Sequence, residues 1–461
     1  MRTFSLVCVT ALAVGALVSS GCSVINSFDD LKEASTAGVG GSAGNAGSAG
    51  QGGSSGGGSG GTTGGTGGTG GSGGQPVDPG LIVVAGDGDL AAGGRGLVIS
   101  ALSPYTGEEY TRREFGADKI GFIAYDAIDN YWYVWTQEGE PGDLFTFRVW
   151  QFDRLTREFK ELGTTSAPLP TGVIAVLNKR VLYWSLYKDG ASSSSGFTLL
   201  NIDNASQPVP TNPIQDVPSF GSPLAAIPRA NGTDPGGTVN LFVRTANCSP
   251  DVTENGSPVE MCDVDRILAS VTSASTKASF AATKTIGRIR QSGGSIGAVR
   301  ASEEDVVIFP DPAWEASNAN TTAQVVRFNP TNYNSVGTID FDVKGSSIRG
   351  AAWDPCGKTV LATETLSDTA IFAVPFTGTT TRQSITTPPV SFVFFDQYTQ
   401  TAFLPRDSTT NFGLRAFALG GTAMAPTLSE RDSSSDLPWS PPSDLQPKQV
   451  QVETPPKQFC P

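Results

Sequence analysis

The chain contains no histidine. That excludes a Ser-His-Asp or Cys-His arrangement, any histidine-ligated zinc or haem and the commonest general base near neutral pH. Acid–base chemistry would have to rest on carboxylates, tyrosine or lysine. Cysteine is scarce too, with six residues and no Cys-x-x-Cys spacing, so a structural zinc site is not expected. Positive charge is in deficit: 31 Lys and Arg face 44 Asp and Glu, a formal net charge of −13. Sequence-independent binding of nucleic acid needs a basic stripe; this chain lacks the balance for that and for docking on anionic lipid by charge. Its acidity mainly favours solubility. The first mostly apolar run, Phe4–Val18, falls short of the roughly 20 residues of a bilayer span. From Leu81 onward helical periodicity is almost absent.

What is present begins with that apolar run. Arg2 supplies a positive n-region, and Phe4–Val18 suits a secretory h-region of about 7–15 apolar residues. Ser19-Ser20-Gly21 then leads into Cys22. This resembles the bacterial lipoprotein signal, with Ser19 where that family usually carries leucine. The resemblance implies removal of residues 1–21 and multiple acylation (palmitate-type) of Cys22. Each buried methylene contributes about 0.8 kcal/mol, so two or three chains anchor firmly where one does not. Ser23 is not the aspartate that favours inner-membrane retention, so the expected location is the outer membrane, on either face. The other reading is ordinary cleavage, with Cys22 a spare thiol.

Residues 22–37 form the anchored segment, in which Phe28–Glu33 has at most a helical turn. Residues 38–79 are a Gly/Ser/Thr-rich linker, and no charge occurs between Ala34 and Val77. Ordering glycine costs the most backbone entropy and nothing here offers burial in return, so disorder is expected. A random coil of this length spans about 35 Å. A collagen reading fails for want of a Gly-X-Y period.

An exported domain with Cys248, Cys262, Cys356 and Cys460 suggests two disulfides. Three connectivities are possible. Cys248–Cys262, closing a polar turn-rich loop, with Cys356–Cys460, pinning the tail, is the favoured one.

Residues 80–461 read as all-β, with short β-rich runs between Gly, Pro, Asn and Asp clusters. The runs repeat. First strands are expected at Ile120–Asp126, Thr171–Val176, Gly221–Ile227, Ser295–Val299, Ile348–Asp354 and Val390–Asp396. Their partners are Tyr131–Trp135, Arg180–Trp184, Val239–Val243, Asp305–Phe309, Thr359–Ala362 and Thr401–Leu404. Third strands follow at Arg148–Asp153, Phe197–Asp203, Arg266–Val271, Val325–Asn329, Ile371–Phe376 and Leu414–Leu419. Leu81–Ala85 and Gly96–Leu102 form an incomplete seventh unit. Lys448–Glu453 alternates as an edge strand should and is a candidate to complete it, removing the exposed edge. Trp353-Asp354-Pro355-Cys356-Gly357-Lys358-Thr359-Val360-Leu361-Ala362 resembles the strand–turn–strand of WD40-like and YVTN-type propellers. Phe152–Thr156 and Ser103–Gly107 resemble their outer turns. The expected fold is a β-propeller of seven blades, with six or eight as alternatives.

Three groups of residues invite a chemical reading. Gly86-Asp87-Gly88-Asp89-Leu90-Ala91 fits Gly-x-Gly-x-x-Ala, but a poor helix former follows, so a β-turn is favoured over a dinucleotide or calcium site. Glu303-Glu304-Asp305 lies between strands and reads as a solvated turn. Tyr131, Trp132, Tyr133, Trp135, Trp150, Trp184, Trp314 and Trp353 could stack sugars, but they alternate as core residues do. The repeated Ser-x-Asp-x-Gly-x-x-Trp turn of sialidase-like propellers is absent. The expectation is therefore an outer-membrane lipoprotein whose propeller binds or scaffolds an envelope protein or glycan. No catalytic residue, metal ligand, cofactor or nucleic-acid partner is assigned. The alternative is a metal-dependent or carboxylate-dependent hydrolase or lyase on the same scaffold.

Overall fold

The computed structural model describes residues 80–453 except 117, 127–130, 139–144, 155, 168, 178, 190–191, 203–219, 232–233, 255–256, 273–277, 292–295, 302, 311–321, 345–347, 365–369, 386–391, 406–412 and 435–437. The signal, Cys22, the linker and Cys460 lie outside these residues, as does Trp314.

All regular secondary structure among the described residues is β-strand. Blade 1 holds β1 (Ile82–Asp89), β2 (Arg95–Leu102) and β3 (Glu109–Gly116). Blade 2 is β4 (Lys119–Asp126), β5 (Tyr131–Glu138), β6 (Phe145–Asp153) and β7 (Glu158–Ala167). Blade 3 is β8 (Leu169–Leu177), β9 (Arg180–Asp189) and β10 (Ser192–Asn201). Blade 4 is β11 (Phe220–Asn231), β12 (Asp234–Glu254), β13 (Ser257–Val271) and β14 (Ser279–Arg290). Blade 5 is β15 (Gly297–Ala301), β16 (Glu304–Phe309), β17 (Thr322–Phe328) and β18 (Ser335–Lys344). Blade 6 is β19 (Ile348–Asp354), β20 (Thr359–Glu364), β21 (Ala370–Pro375) and β22 (Thr381–Ser384). Blade 7 is β23 (Phe394–Asp396), β24 (Thr401–Pro405), β25 (Leu414–Thr422) and β26 (Ala425–Arg431). The last strand, β27 (Gln446–Val452), returns to blade 1.

Within every sheet consecutive strands pair antiparallel, and blade 1 has the order β27-β1-β2-β3. The inner strands β27, β4, β8, β11, β15, β19 and β23 neighbour one another in that order, and β23 meets β27 again. The molecule is a closed seven-bladed propeller. The C-terminal run completes blade 1 as its channel-side edge, pairing Val452 with Ile82 and Val450 with Val84. Gly86 makes room for this strand, since a Cβ there would lie 2.0 Å from the Gln446 carbonyl oxygen.

The period-2 pattern explains the packing. Successive side chains of a strand leave opposite faces, and here both faces are buried against neighbouring blades. Trp132 and Val134 of β5 enter the core shared with blade 1, whereas Tyr133 and Trp135 enter the core shared with blade 3. Val360 and Ala362 of β20 face blade 5, and Leu361 faces blade 7. Ile82, Val84, Phe403, Val450 and Val452 seal blade 7 to blade 1. Each such side chain contributes about 1.5–3 kcal/mol on burial.

The inner, second and third strands fall where the sequence places them. The fourth, outer strands β3, β7, β14, β18, β22 and β26 lie outside the strands read from the sequence. β22 alternates intermediate and exposed residues and carries no apolar side chain, and in β18 Ile339, Phe341 and Val343 fall at alternate positions, unlike the doubly buried inner strands.

Candidate functional site

One end of the ring is defined by the turns that join each inner strand to the second. Asp126, Asp354 and Asp396 close the last rungs there, opposite Tyr131, Thr359 and Thr401. Glu453 takes the corresponding place in blade 1, one residue past Val452, with its N–H donating to the Leu81 carbonyl at 2.8 Å. The four belong to adjacent inner strands, β19, β23, β27 and β4, and all are at most 2% exposed. A run of four neighbouring blades thus ends in buried carboxylates.

Most of this acid is committed to the turns. Asp354 accepts from the N–H of Cys356 at 3.0 Å and of Gly357 at 2.8 Å. Asp396 Oδ2 accepts from the N–H and hydroxyl of Thr399 at 2.7 and 2.6 Å. Asp126 accepts from the N–H of Lys179 in the next blade at 2.9 Å. Short aspartate side chains replace backbone acceptors in such turns. Lys179, Lys358 and Gln400, each just before a second strand, have φ of 62°, 49° and 51°. Their carbonyls accept from Ile202, Phe376 and Leu419, which fixes the turn against the third strand.

Two of the carboxyls are less well served. Glu453 Oε1 meets Arg154 Nη1 at 2.7 Å, but Oε2 is buried without a hydrogen-bond partner among the described residues. Asp396 Oδ1 is likewise buried without one. It packs against Gly80, whose φ is 89° and where a Cβ would lie 3.0 Å from that oxygen. Burial disfavours the charged form. It pushes the Glu453 carboxyl up to about 7, with Asp396 adding to the rise and Arg154 opposing it. Burial also pushes Asp396 up to about 6, against its bonds to Thr399 and Tyr398 and the charge of Arg431. Tyr398 is pushed up to about 12 by burial and by Glu453.

At the same end, blades 4 and 5 carry the opposite charge. Asp305 is fully buried and accepts from Arg229 at 2.8 and 2.9 Å, Arg300 at 2.8 Å, Asn240 at 2.9 Å and the Tyr333 hydroxyl. Arg266 donates to Asn240 Oδ1 at 2.9 Å and lies 4.5 Å above the Tyr333 ring. The solvated-turn reading therefore holds for Glu303, which is exposed. It fails for Asp305. Glu304 is paired with Arg327 at 2.6 and 3.0 Å. The signal lay in residues distant in sequence: only the propeller brings Arg229, Asn240 and Arg266 to that carboxylate.

Gly86 and Gly88 lie within β1, and the chain turns back directly into β2, so the Gly-x-Gly-x-x-Ala segment is a β-hairpin as expected. Its acids hold the closing segment. Asp87 meets Lys448 at 2.7 Å, Asp89 meets Arg95 at 3.0 Å, and the Asp89 N–H donates to Asp444 at 3.0 Å. Arg112, 2.5 Å from Asp444, holds that carboxyl below its ordinary range. Trp132, Tyr133, Trp135, Trp150 and Trp353 are buried, and Trp184 packs edge-on against Phe197 at 4.9 Å, so these aromatics build core. The Tyr131 side chain is outside the described residues. Among the described residues no three His, Cys, Asp or Glu side chains converge as metal ligands would.

The opposite end of the ring carries a distinct element. Strands β12 and β13 are 21 and 15 residues long. Pairing with β11 ends at Phe220↔Thr245 and pairing with β14 at Met261↔Arg290. β12 and β13 continue together from Cys248↔Cys262 to Glu254↔Ser257. The result is a two-stranded finger extending about 20 Å, at 3.3–3.4 Å per residue, past its own blade. A Cys248–Cys262 disulfide staples its root, and Arg288 braces it through the Met261 carbonyl and Asp263 at 2.8 and 3.1 Å. Cys356 is also disulfide-bonded.

No protein-family model and no curated protein matches the chain. Solved structures do match it. A Bacteroides fragilis protein described as a "putative 6-phosphogluconolactonase" aligns over 82% of this chain and 99% of its own, with 14% identity and a TM-score of 0.50. A Bacteroides uniformis protein with the same description covers 81% and 99% at 13% identity and a TM-score of 0.49. A Lactobacillus plantarum protein covers 81% and 98% at 14% identity and a TM-score of 0.46. The B. fragilis likeness, at 14% identity, is a likeness of fold alone, and fold does not carry activity.

Proposed function

We propose that the chain is an envelope lipoprotein, anchored through Cys22, whose propeller binds or scaffolds a protein or glycan with the face opposite its tether. The observation that carries this reading is the stapled finger. The described residues begin at Gly80, beside Asp396, at the carboxylate-tipped end, where a tether over residues 38–79 would enter. The β12–β13 finger leaves the other end, because antiparallel strands alternate direction. A tether entering one face leaves the other free to meet a partner. Between Arg244 and Arg266 the chain carries Asp251, Glu254, Glu260, Asp263 and Asp265 and no lysine or arginine. That balance favours a cationic protein surface over a neutral glycan. Replacing residues 251–258 by an Asn-Gly turn, with both cysteines kept, tests the reading. Loss of co-purifying envelope material by the shortened but folded protein is expected. Equal recovery by both forms would refute it.

The alternative, a hydrolase or lyase dependent on carboxylates, is favoured by the Glu453–Asp396 pair, whose pKa values are raised as those of catalytic acids often are. Against it, both groups are at most 2% exposed. Lactone turnover that disappears in Glu453→Gln would establish it.

A further inference from the structure

We propose that Glu453 is a proton-sensitive latch on the closing strand, holding the ring tightest when neutral and loosening it when charged. β27 is the inner strand of blade 1 and comes from the far end of the chain, so the ring's closure depends on how firmly it is held. Glu453 sits one residue past its last rung, where blades 7, 1 and 2 meet. Its N–H is fixed to Leu81 and one carboxyl oxygen to Arg154, in the turn between β6 and β7. Its other oxygen is buried without a hydrogen-bond partner among the described residues.

The surrounding groups do little to favour a charge. From β23 comes Asp396, itself with a partnerless buried oxygen, and from the following turn Tyr398. From β4 come Tyr125 and Asp126, and burial followed by the Glu453 charge raises the Tyr125 phenol. From β26 comes Arg431, which donates to the Pro104 carbonyl at 3.1 Å, Thr401 Oγ1 at 3.0 Å and the Tyr105 carbonyl. Each carboxyl therefore has one opposing cation, Arg154 for Glu453 and Arg431 for Asp396, and each keeps one buried oxygen with no hydrogen-bond partner among the described residues. An ionised Glu453 leaves a charged oxygen unsatisfied and faces Asp396, whereas a protonated one avoids both penalties.

Burial at this junction raises both carboxyls. The Glu453 carboxyl rises from 4.5 to about 7, and Asp396 from 3.8 to about 6. Between those limits the folded chain keeps protons that the unfolded chain has released, so stability falls as pH rises. The effect is complete above the folded values. The hold on the closing strand is greatest below about pH 4, declines through the mildly acidic range and is weakest above about pH 7.

Hydrogen exchange of the β27 amides at pH 5.5 and 8, corrected for intrinsic rates and referred to β20, tests the latch. Protection of β27 is expected to fall by tenfold or more at pH 8, since one pKa unit is a factor of ten in the equilibrium. Glu453→Gln should lose that pH dependence. Asp396→Asn, which removes the facing charge, should move the midpoint to lower pH. Wild-type protection that is equal at both pH values would overturn the proposal. So would a pH dependence that survives unchanged in both variants.

Discussion

Asp305→Ala is the substitution that most directly probes how blades 4 and 5 are joined. The carboxylate is fully buried and receives Arg229, Arg300, Asn240 and Tyr333, with Arg266 one step away through Asn240. Removing it takes the shared carboxylate from two guanidiniums that have side-chain exposures of only 22% and 8%. Breaking a buried pair by deleting one partner costs about 3–5 kcal/mol, because the remaining charge keeps its desolvation penalty. The unfolding entropy is about 2.1 cal/mol/K per residue, or roughly 0.8 kcal/mol/K for a domain of about 370 residues. A loss of about 4 kcal/mol then lowers Tm by about 5 °C. Asp305→Asn keeps one acceptor oxygen and should fall between wild type and alanine. Calorimetry at pH 7 provides the readout. A shift below about 1 °C for Asp305→Ala would mean that water or a neighbouring carboxylate serves the arginines, and the hub would not join the blades as argued.

Other consequences follow from the same structure. Trp353→Ala empties a site 2% exposed between blades 5 and 6 and should cost about 3–5 kcal/mol in urea unfolding. Ending the chain at Leu445 removes β27 and opens the ring; the expected result is loss of the cooperative unfolding transition, and an unchanged Tm would argue against closure by this strand. Replacing Cys248 and Cys262 by serine releases a 14-residue separation, for which chain-entropy arguments give about 3 kcal/mol. Proteolysis should then cut the finger before the blades. Cys22→Ser should shift the protein from the membrane to the soluble fraction on fractionation, and persistence in the membrane would remove the proposed anchor.

The blades were legible because both faces of each inner and second strand are buried, so Ile348–Asp354 and Thr359–Ala362 read as near-continuous apolar runs bounded by turn residues. The closing strand was legible from the alternation in Lys448–Glu453 and from the missing strand of the first unit. An outer strand such as Thr381–Ser384 gives no signal because it carries no apolar residue and alternate positions meet solvent. Asp305 was misread for a related reason. A turn acid and a buried acid look alike in sequence, and the partners that distinguish them, Arg229 and Arg266, stand far away along the chain. Glu453 gave no signal at all: its burial depends on ring closure, which brings Arg154 and Asp396 to it from other blades. The finger was visible only as a polar loop between two cysteines, because nothing in Ser249–Glu260 reveals that its strands stay paired beyond the sheet.

Crosslinking tests most directly the proposal that a partner meets the face opposite the carboxylate-tipped end. A photo-crosslinking residue placed at the exposed Glu260, on the finger, can be compared in intact cells with one at the exposed Lys358, on the tether side. The account expects discrete adducts from position 260 and few or none from 358. Adducts confined to 358, or equal at both positions, would contradict it.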